Sequence, residues 1–336
     1  MSDIMDAMIR RAQAAPKIVA FPEPENPDIL RTAERVVAEG VGTPLFVGNR
    51  AAIEASCEQL GVNSEDFLYF DNTDEQLVAQ LAEDFTSKYD DFSDKAVRRK
   101  SKSPLRCAMF LLRMGTVDCV AAGKDYSTGD VVFEASSIVG LTDGVESPSS
   151  IGIADIPEAP NHPAMMLGLA DCAITAQPDA SDLAGIAIAS ADTVRTLLGW
   201  TPRVAMLAFS TCGSAEHESI DVIRETVERV HELRPDISCD GEFQLDSAII
   251  PATAARKVKR ESDVAGQANV LVFPNLHAGN IGVKLIQLFG GANAYGPVLQ
   301  GFKQPVCDFS RNAPVEEMLG NVAMLVVRAQ DEGEDE

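Results

Sequence analysis

The stretch Lys17-Ile-Val-Ala-Phe21, the helical pattern over Ile29–Glu39 and the run Thr43-Pro-Leu-Phe-Val47 together have the β-α-β order that decides the fold class. The two outer runs are short and apolar, whereas the segment between them carries apolar residues at helical spacing. Strands that alternate with helices of this length predict a mostly parallel sheet with helices on both faces. We therefore predict an α/β protein.

The same alternation continues along the chain, beginning with a predicted strand at Val117–Ala121. A segment rich in Ser and Pro at Val145–Pro163 predicts a crossing between domains or a new antiparallel strand. A second series of elements follows, with predicted helices at Leu183–Leu198 and Ser219–Leu233 and predicted strands at Arg203–Phe209 and Val270–Phe273. The strand, loop and helix after Gly296-Pro297 are too small to fold alone. The predicted domains are residues 1–149 with 297–336, and residues 150–296.

Length, charge and cysteine content limit the class of protein. The chain has 336 residues, of which 46% are apolar, and its 28 Lys and Arg against 51 Asp and Glu give a net charge of -23. This charge argues against nucleic acid or an anionic membrane as a partner. The seven cysteines are odd in number and scattered, which indicates buried thiols and no zinc site. With no apolar run of about 18 residues and no signal-peptide pattern, we expect a cytoplasmic protein.

The loop Asp308-Phe-Ser-Arg-Asn312 contains the residues best suited to chemistry. It follows a short predicted strand and precedes a helix with Pro314 in its first turn, which makes Asn312 a candidate N-cap. A hydroxyl, a guanidinium and the N–H groups of a helix start can bind phosphate or polarise a carbonyl. Glu316 and Glu317 lie one turn into the helix, where a carboxylate could act as a general base. The alternative interpretation is a capped helix with a surface arginine.

Other turns are weaker candidates for chemistry. Cys212 and His277 each lie in a strand-to-helix turn, where a nucleophile or a ligand can be presented. Neither has partners at a catalytic or metal-binding spacing. Structural or substrate-lining roles are therefore favoured for both residues.

Five segments in order closely resemble the phosphate acetyltransferase family. They are Pro202–Thr211 with Gly213-Ser-Ala215, Arg234–Asp236 with Asp240–Asp246, Val264–Val270, Phe273–Ile281, and Gly296–Gly301 leading to Asp308–Arg311. Weaker agreement at Phe21-Pro-Glu23, Gly40–Asn49 and Ser127–Asp130 extends the resemblance over nearly the whole chain. It implies two α/β domains with a cleft between them, as in isocitrate and isopropylmalate dehydrogenases, and a homodimer formed through the second domain.

The resemblance also implies a reaction, the reversible transfer of an acetyl or other short acyl group between coenzyme A and phosphate. The thiolate of coenzyme A would attack an acyl phosphate directly, so coenzyme A is a substrate and no cofactor is needed. Catalytic roles fall to Ser310, Arg311 and Glu317, the last in place of the family's aspartate base. Nine further residues are expected at the substrate: Ser127, Thr128, Phe133, Ser210, Thr211, Asn275, Gly279, Asn280 and Asn312.

Several cations of the family are replaced in this chain. Phe133 and Glu134 occupy the places of an arginine and a proline, and Asp28, Ser87 and Leu288 each occupy the place of an arginine. Two alternatives to a phosphate acetyltransferase therefore stay open. One is a weak or inactive member of the family that acts as a binding or regulatory protein. The other is a phosphate propanoyltransferase or butanoyltransferase, with Phe133 as an apolar wall.

Overall fold

The computed structural model describes residues 3–142, 145–159 and 162–331. Its contacts divide the chain into two compact units. Unit 1 comprises Met1–Thr142 and Phe302–Glu336, and unit 2 comprises Asp143–Gly301.

Strands and helices alternate along both units. The strands are β1 (Lys17–Phe21), β2 (Gly42–Val47), β3 (Leu68–Phe70), β4 (Cys119–Ala122), β5 (Ser149–Ile156), β6 (Met165–Ala170), β7 (Arg203–Leu207), β8 (Ser238–Phe243), β9 (Val270–Val272), β10 (Asn293–Gln300) and β11 (Val306–Asp308). The helices are α1 (Asp3–Ala14), α2 (Pro27–Ala38), α3 (Arg50–Leu60), α4 (Glu75–Lys88), α5 (Asp94–Lys100), α6 (Pro104–Arg113), α7 (Thr128–Glu134), α8 (Ala180–Leu198), α9 (Glu218–Leu233), α10 (Leu245–Ile249), α11 (Pro251–Lys257), α12 (Leu276–Gly290) and α13 (Val315–Asp331). A π-helical turn, Ala135–Val139, follows α7.

The sheet of unit 1 is parallel, with the strand order β3-β2-β1-β4-β11. Val19, Ala20 and Phe21 are consecutive in β1 and all fully buried, which requires that both faces of the sheet be covered. Helices α6 and α13 each pack against β1 and β4. The predicted α/β class is confirmed, and β1 and β2 lie within one residue of their predicted bounds.

The sheet of unit 2 has the strand order β10-β5-β6-β9-β7-β8. It is parallel from β6 to β8, whereas β5 pairs antiparallel with both β10 and β6. The long helix α8 packs against β5, β6, β7, β9 and β10. Leu169, Leu207, Phe243 and Leu271 belong to the buried core between this sheet and its helices.

Strand β10 continues through Gly296-Pro297, where the sequence suggested a domain boundary. Its pairing with β5 shifts register between Tyr295 and Val298, and such an irregularity is where a strand tolerates Gly and Pro. Residues 297–301 therefore stay with unit 2, as do residues 143–149, which lead into β5. The units change at 142/143 and 301/302 instead of 149/150 and 296/297.

Candidate active site

Three neighbouring parallel strands of unit 1 end at the same edge of its sheet. Strand β4 lies between β1 and β11. Glu23 follows β1, Gly123 and Lys124 follow β4, and the segment 309–312 follows β11. Residues at the carboxyl ends of adjacent parallel strands are brought together, and this edge is where α/β proteins place their binding sites.

Glu23 organises the loop that follows β4. Its side chain is buried, and its two carboxylate oxygens accept hydrogen bonds from the backbone N–H groups of Gly123 (3.0 Å), Lys124 (3.2 Å), Asp125 (2.6 Å) and Tyr126 (2.9 Å). Burial raises the pKa of Glu23, and the backbone hydrogen bonds counteract that rise. One carboxylate thus fixes four consecutive residues of the loop.

Lys124 extends from this loop to the segment that follows β11. Its side chain is only 6% exposed. The ammonium nitrogen Nζ donates hydrogen bonds to the carbonyl oxygens of Arg311 (2.9 Å) and Ala313 (3.0 Å) and lies 3.2 Å from a carboxylate oxygen of Asp28. No sequence motif singles out this residue.

Asp308, the last residue of β11, is a buried carboxyl group beside the same loop. Thr128 Oγ1 donates a hydrogen bond of 2.5 Å to Asp308 Oδ2, whereas Asp308 Oδ1 has no partner among the described residues. Burial raises the pKa of Asp308 to about 6. Gly123 has φ of +114°, and a Cβ there would collide with Asp308 Oδ1 and the backbone of Phe309, so only glycine fits.

The next residues, Ser310, Arg311 and Asn312, have exposed side chains. The N–H of Ala313 donates to the carbonyl of Ser310 at 2.9 Å, which closes a turn. The prediction that Asn312 is the N-cap of the last helix was wrong. That helix, α13, begins one residue after Pro314, whose carbonyl accepts the first helical hydrogen bond. The turn takes up the residues that would otherwise extend the helix.

Glu317 lies in the first turn of α13 and is half-buried. Burial raises the pKa of its carboxyl group, and the positive charge of Lys124 acts in the opposite direction. The neighbouring Glu316 differs, because it is more exposed and forms an ion pair of 3.0 Å with Arg35 of α2. Of the two glutamates, Glu317 has the environment suited to a general base.

Ser127 and Thr128 lie at the start of α7, in contact with this site. Ser127 is the N-cap of the helix and exchanges hydrogen bonds with Asp130 in a capping box. Thr128 bonds Asp308, as described above. Both hydroxyl groups therefore have protein partners that fix the start of α7.

The far end of α7 carries the two replacements in the family motif. Phe133 is 63% exposed, whereas Glu134 is buried and accepts a hydrogen bond of 2.7 Å from Nε of Arg106 on α6. The Arg106 side chain is 42% exposed, and its two terminal amino groups have no hydrogen-bond partner among the residues described. Hydrogen bonds from Ser127 lower the pKa of Asp130, and the charges of Arg106 and Arg311 contribute. Arg106 is thus a second exposed cation close to the loop, which sequence analysis missed.

Ser210 and Thr211, expected at the substrate, are buried inside unit 2. Ser210 Oγ donates to Glu242 (2.9 Å), and Thr211 Oγ1 lies 3.2 Å from Ser247 Oγ. Burial alone would raise the pKa of Glu242, but hydrogen bonds from Arg224, the backbone and Ser210 hold it at about 2. These two hydroxyl groups support the loop after β7 and present no surface to a ligand.

Asn275, Gly279 and Asn280 belong to the start of α12 in unit 2. Asn275 caps the helix by accepting a hydrogen bond of 3.0 Å at its side-chain oxygen. Gly279 is buried, because its Cα packs on the backbone of Asp171 and leaves no room for a Cβ. Asn280 is exposed and donates to the carbonyl of Cys172 at 3.2 Å. Of the three, only Asn280 has an exposed side chain.

The positions where the family has further arginines have distinct surroundings. Asp28 pairs with Lys124. Ser87 is exposed on α4 and donates to the carbonyl of Asp84. Leu288 is 76% exposed on α12. A cation is therefore present beside position 28, although a different strand-end loop supplies it.

In residues 3–142, 145–159 and 162–331, no group of three His, Cys, Asp or Glu side chains is arranged to hold a metal ion. Within the same residues, no helix has the length and apolarity needed to cross a bilayer.

Comparisons with known proteins agree along the chain. A family model described as phosphate acetyl/butaryl transferase matches residues 3–326. The phosphate acetyltransferase of Thermoanaerobacterium thermosaccharolyticum is 36% identical over 332 residues, covering 97% of this chain and 99% of that protein. The phosphate acetyltransferase of Bacillus subtilis is 32% identical over 329 residues, covering 97% of this chain and 98% of that protein. A solved phosphotransacetylase from Streptococcus pyogenes has a TM-score of 0.88 at 30% identity, covering 98% of this chain and 100% of that one.

Asp308 predicts a pH-dependent stability. Its folded pKa of about 6 lies above the ordinary value of about 3.9. The folded state therefore holds the proton more tightly, and this stabilisation is complete below pH about 4 and is lost as the pH rises through about 6. Asp308→Asn removes this dependence. We expect the variant to gain about 1.5 to 3 kcal/mol relative to wild type between pH 4 and 7.5, measured by urea unfolding. Asp66→Asn, at an exposed position, serves as the control, and parallel pH curves for Asp308→Asn and wild type would contradict the assignment.

Proposed function

The chain belongs to the phosphate acetyl/butaryl transferase family, and we propose that its acyl transfer between coenzyme A and phosphate takes place at the loop of Ser310 and Arg311. The observation that carries this proposal is the state of Arg311. Its side chain is exposed at the carboxyl end of β11, without a hydrogen-bond or ion-pair partner in the part of the chain that the structure describes. A guanidinium in this state is suited to bidentate binding of phosphate.

The reaction requires a thiolate. A free thiol has a pKa of about 8.5, so a base that removes its proton increases the reactive fraction at neutral pH. The thiolate of coenzyme A attacks the carbonyl carbon of the acyl phosphate, the new C–S bond forms, and the bond from that carbon to the phosphate oxygen breaks. Phosphate leaves with the electron pair, and the product is a thioester. Arg311 would stabilise the carbonyl oxygen or the departing phosphate, and Ser310 adds a hydroxyl beside it.

Glu317 is the proposed base. It lies one turn after the loop, and its burial raises the carboxyl pKa above the ordinary value and so increases its basicity. The family's aspartate has one methylene fewer, and the half-buried position of Glu317 accommodates the longer side chain.

Arg106 is proposed as a second anion contact. Its Nε is held by the buried carboxylate of Glu134, so the guanidinium is oriented, while the side chain as a whole is 42% exposed. Such preorganisation reduces the conformational entropy that is lost on binding. Arg106 would offset part of the positive charge that is lost because Phe133 stands in the place of an arginine. Phe133 lies on α7 next to Glu134.

Phe133 bears on which acyl group the proposed site would accept. Its 63% exposed ring on α7 provides an apolar surface near the proposed site. This observation favours propanoyl or butanoyl phosphate as a second candidate substrate beside acetyl phosphate, because each methylene placed against an apolar wall stabilises binding by about 0.8 kcal/mol.

A homodimer through unit 2 is proposed as the assembly. Helix α12 exposes Ile281, Leu285, Leu288 and Phe289, whose spacing places them on one side of the helix. Leu288 and Phe289 are 76% and 83% exposed. Contiguous apolar surface of this kind marks an association site, and a second copy would cover it.

A cytoplasmic location is proposed from the seven cysteines, which form no disulfide among the described residues and of which six are buried. The transfer as written balances with coenzyme A and acyl phosphate alone, so no cofactor is proposed.

Variants of Arg311 and Glu317 test the proposed reaction. Arg311→Ala should lower turnover by about 10² or more, as loss of one preorganised donor does. Glu317→Gln should lower it by roughly 10² to 10⁴ at neutral pH, with partial recovery at higher pH as the thiolate forms unaided. Glu317→Asp should keep activity. Glu316→Gln, on the adjacent residue, is the matched control. Thioester formation measured across pH checks these outcomes, and wild-type rates in Glu317→Gln would rule out the base.

Variants of Arg106 test the second anion contact. Arg106→Met should raise KM for phosphate and for acetyl phosphate about tenfold and change kcat less, because one charge-assisted phosphate contact is lost. Arg50→Met, which removes an exposed arginine paired with Glu54 in the same unit, is the control. The double variant Arg106→Met/Glu134→Gln avoids an unpaired buried carboxylate. Unchanged KM values in this folded double variant would contradict the role of Arg106.

Sedimentation tests the homodimer. A dimer has twice the chain mass of 35.9 kDa, and the wild type should sediment at that mass at micromolar concentration. The double variant Leu288→Glu/Phe289→Glu should sediment as a monomer, because two carboxylates would be desolvated in the interface. Leu77→Glu, at an exposed apolar position of unit 1, is the control. A wild type that sediments only as a monomer excludes the assembly.

A further inference from the structure

Lys124 is nearly buried at the carboxyl end of β4, and the proposed reaction does not use it. Its Nζ donates hydrogen bonds to the carbonyl oxygens of Arg311 and Ala313 and forms an ion pair with the carboxylate of Asp28. Its backbone N–H donates to Glu23 at 3.2 Å. Lys124 is thus fixed at both ends, by Glu23 and by the residues after β11.

We propose that Lys124 is a positioning residue for the acyl transfer: its ammonium group holds the backbone that presents Ser310 and Arg311 to the substrate. The inference rests on the proposed function for its consequence in catalysis. The structural part of the inference, that Lys124 restrains the loop, rests only on the contacts of its ammonium group with Arg311, Ala313 and Asp28.

The loop needs such a hold because its own contacts are few. The side chains of Ser310, Arg311 and Asn312 are exposed, and the hydrogen bond from Ala313 N–H to the carbonyl of Ser310 is the local one that closes the turn. Exposed segments with few buried contacts open at low cost. Lys124 binds the carbonyls on both sides of Asn312, so it restricts the backbone directly beside the Arg311 side chain.

The same ammonium group acts on the proposed base. Lys124 and the buried thiol of Cys307 on β11 interact electrostatically with Glu317, Asp308 and Arg328 interact with the same thiol, and the adjacent Glu316 is paired with Arg35 of α2. Burial raises the pKa of Glu317, and Lys124 is the positive charge that opposes the rise. Without Lys124, Glu317 would hold its proton to higher pH.

The position of Lys124 also accounts for one replaced arginine. Asp28 occupies the place of an arginine in the family, and the Nζ atom of Lys124 lies 3.2 Å from its carboxylate. In the family an arginine in the segment after β1 would carry the positive charge at this position. In this chain the nearby positive charge is that of Lys124, in the loop after β4. An acidic side chain at position 28 orients the lysine that replaces the missing cation.

Two variants and one control test the inference in the full chain. Lys124→Met removes the charge and the donors at similar length, and Lys124→Arg keeps both. We expect Lys124→Met to lower kcat by about 10- to 100-fold, as misplacement of a positioned group does. The acidic limb of its pH–rate profile should move upward by about one pH unit. Lys124→Arg should keep the limb in place. Lys17→Met, which removes a lysine paired with Asp118 in the same unit, should match wild type in both measurements.

Hydrogen exchange of the amides of residues 310–318 tests the hold on the loop without any assay of activity. Lys124→Met should exchange there at least about tenfold faster than wild type, and Lys17→Met should not. Unchanged exchange together with an unmoved pH limb would overturn the inference. If Lys124→Met does not fold, Lys124→Arg provides the test. An acidic limb of the pH–rate profile that is displaced although the charge is retained overturns the inference. An unmoved acidic limb together with protected amides supports it. Failure of the proposed function would be recognised separately, because Arg311→Ala and Glu317→Gln would then keep full activity.

Discussion

The buried carboxylate of Glu23 is the interaction on which the site depends. It binds four consecutive backbone N–H groups after β4, and this fixes the loop from which Lys124 extends and after which α7 begins. Lys124 then holds the segment after β11, and Thr128 at the start of α7 bonds Asp308 at the end of β11. These contacts join three strand ends, and the carboxylate of Glu23 and the ammonium group of Lys124 are buried groups that would be costly to leave unpaired.

Cations lie beside two of the positions at which residues of the family are replaced. Lys124 provides a cation next to Asp28, and Arg106, oriented by Glu134, provides one near Phe133. In both pairs the residue in the family's arginine or proline position is acidic and the compensating cation lies on another segment. At two other replaced positions, Ser87 donates to a carbonyl of its own helix and Leu288 is exposed on α12. The proposed site therefore keeps the residues assigned to the reaction, whereas the charged residues around it differ from those of the family.

The sequence predicted the elements and the loop, but it did not predict the contacts between them. Short apolar runs located β1 and β2, and apolar residues at helical spacing located α9. It could not show that Gly296-Pro297 lies inside β10, since a bulge in a strand has the same residues as a turn. It also could not identify Lys124 and Arg106, because their partners lie far away in the sequence. Ser210 and Thr211 matched the family motif, yet their hydroxyl groups are buried as loop supports.

The most direct test of the central claim is thioester formation by the wild-type chain from coenzyme A with acetyl, propanoyl and butanoyl phosphate. The claim is that the Ser310–Arg311 loop remains catalytic. It predicts thioester formation proportional to protein concentration with at least one of the three acyl phosphates, and phosphate release in equal amount. Rates no higher than those without protein for all three would contradict the claim and would favour a binding or regulatory role for this scaffold.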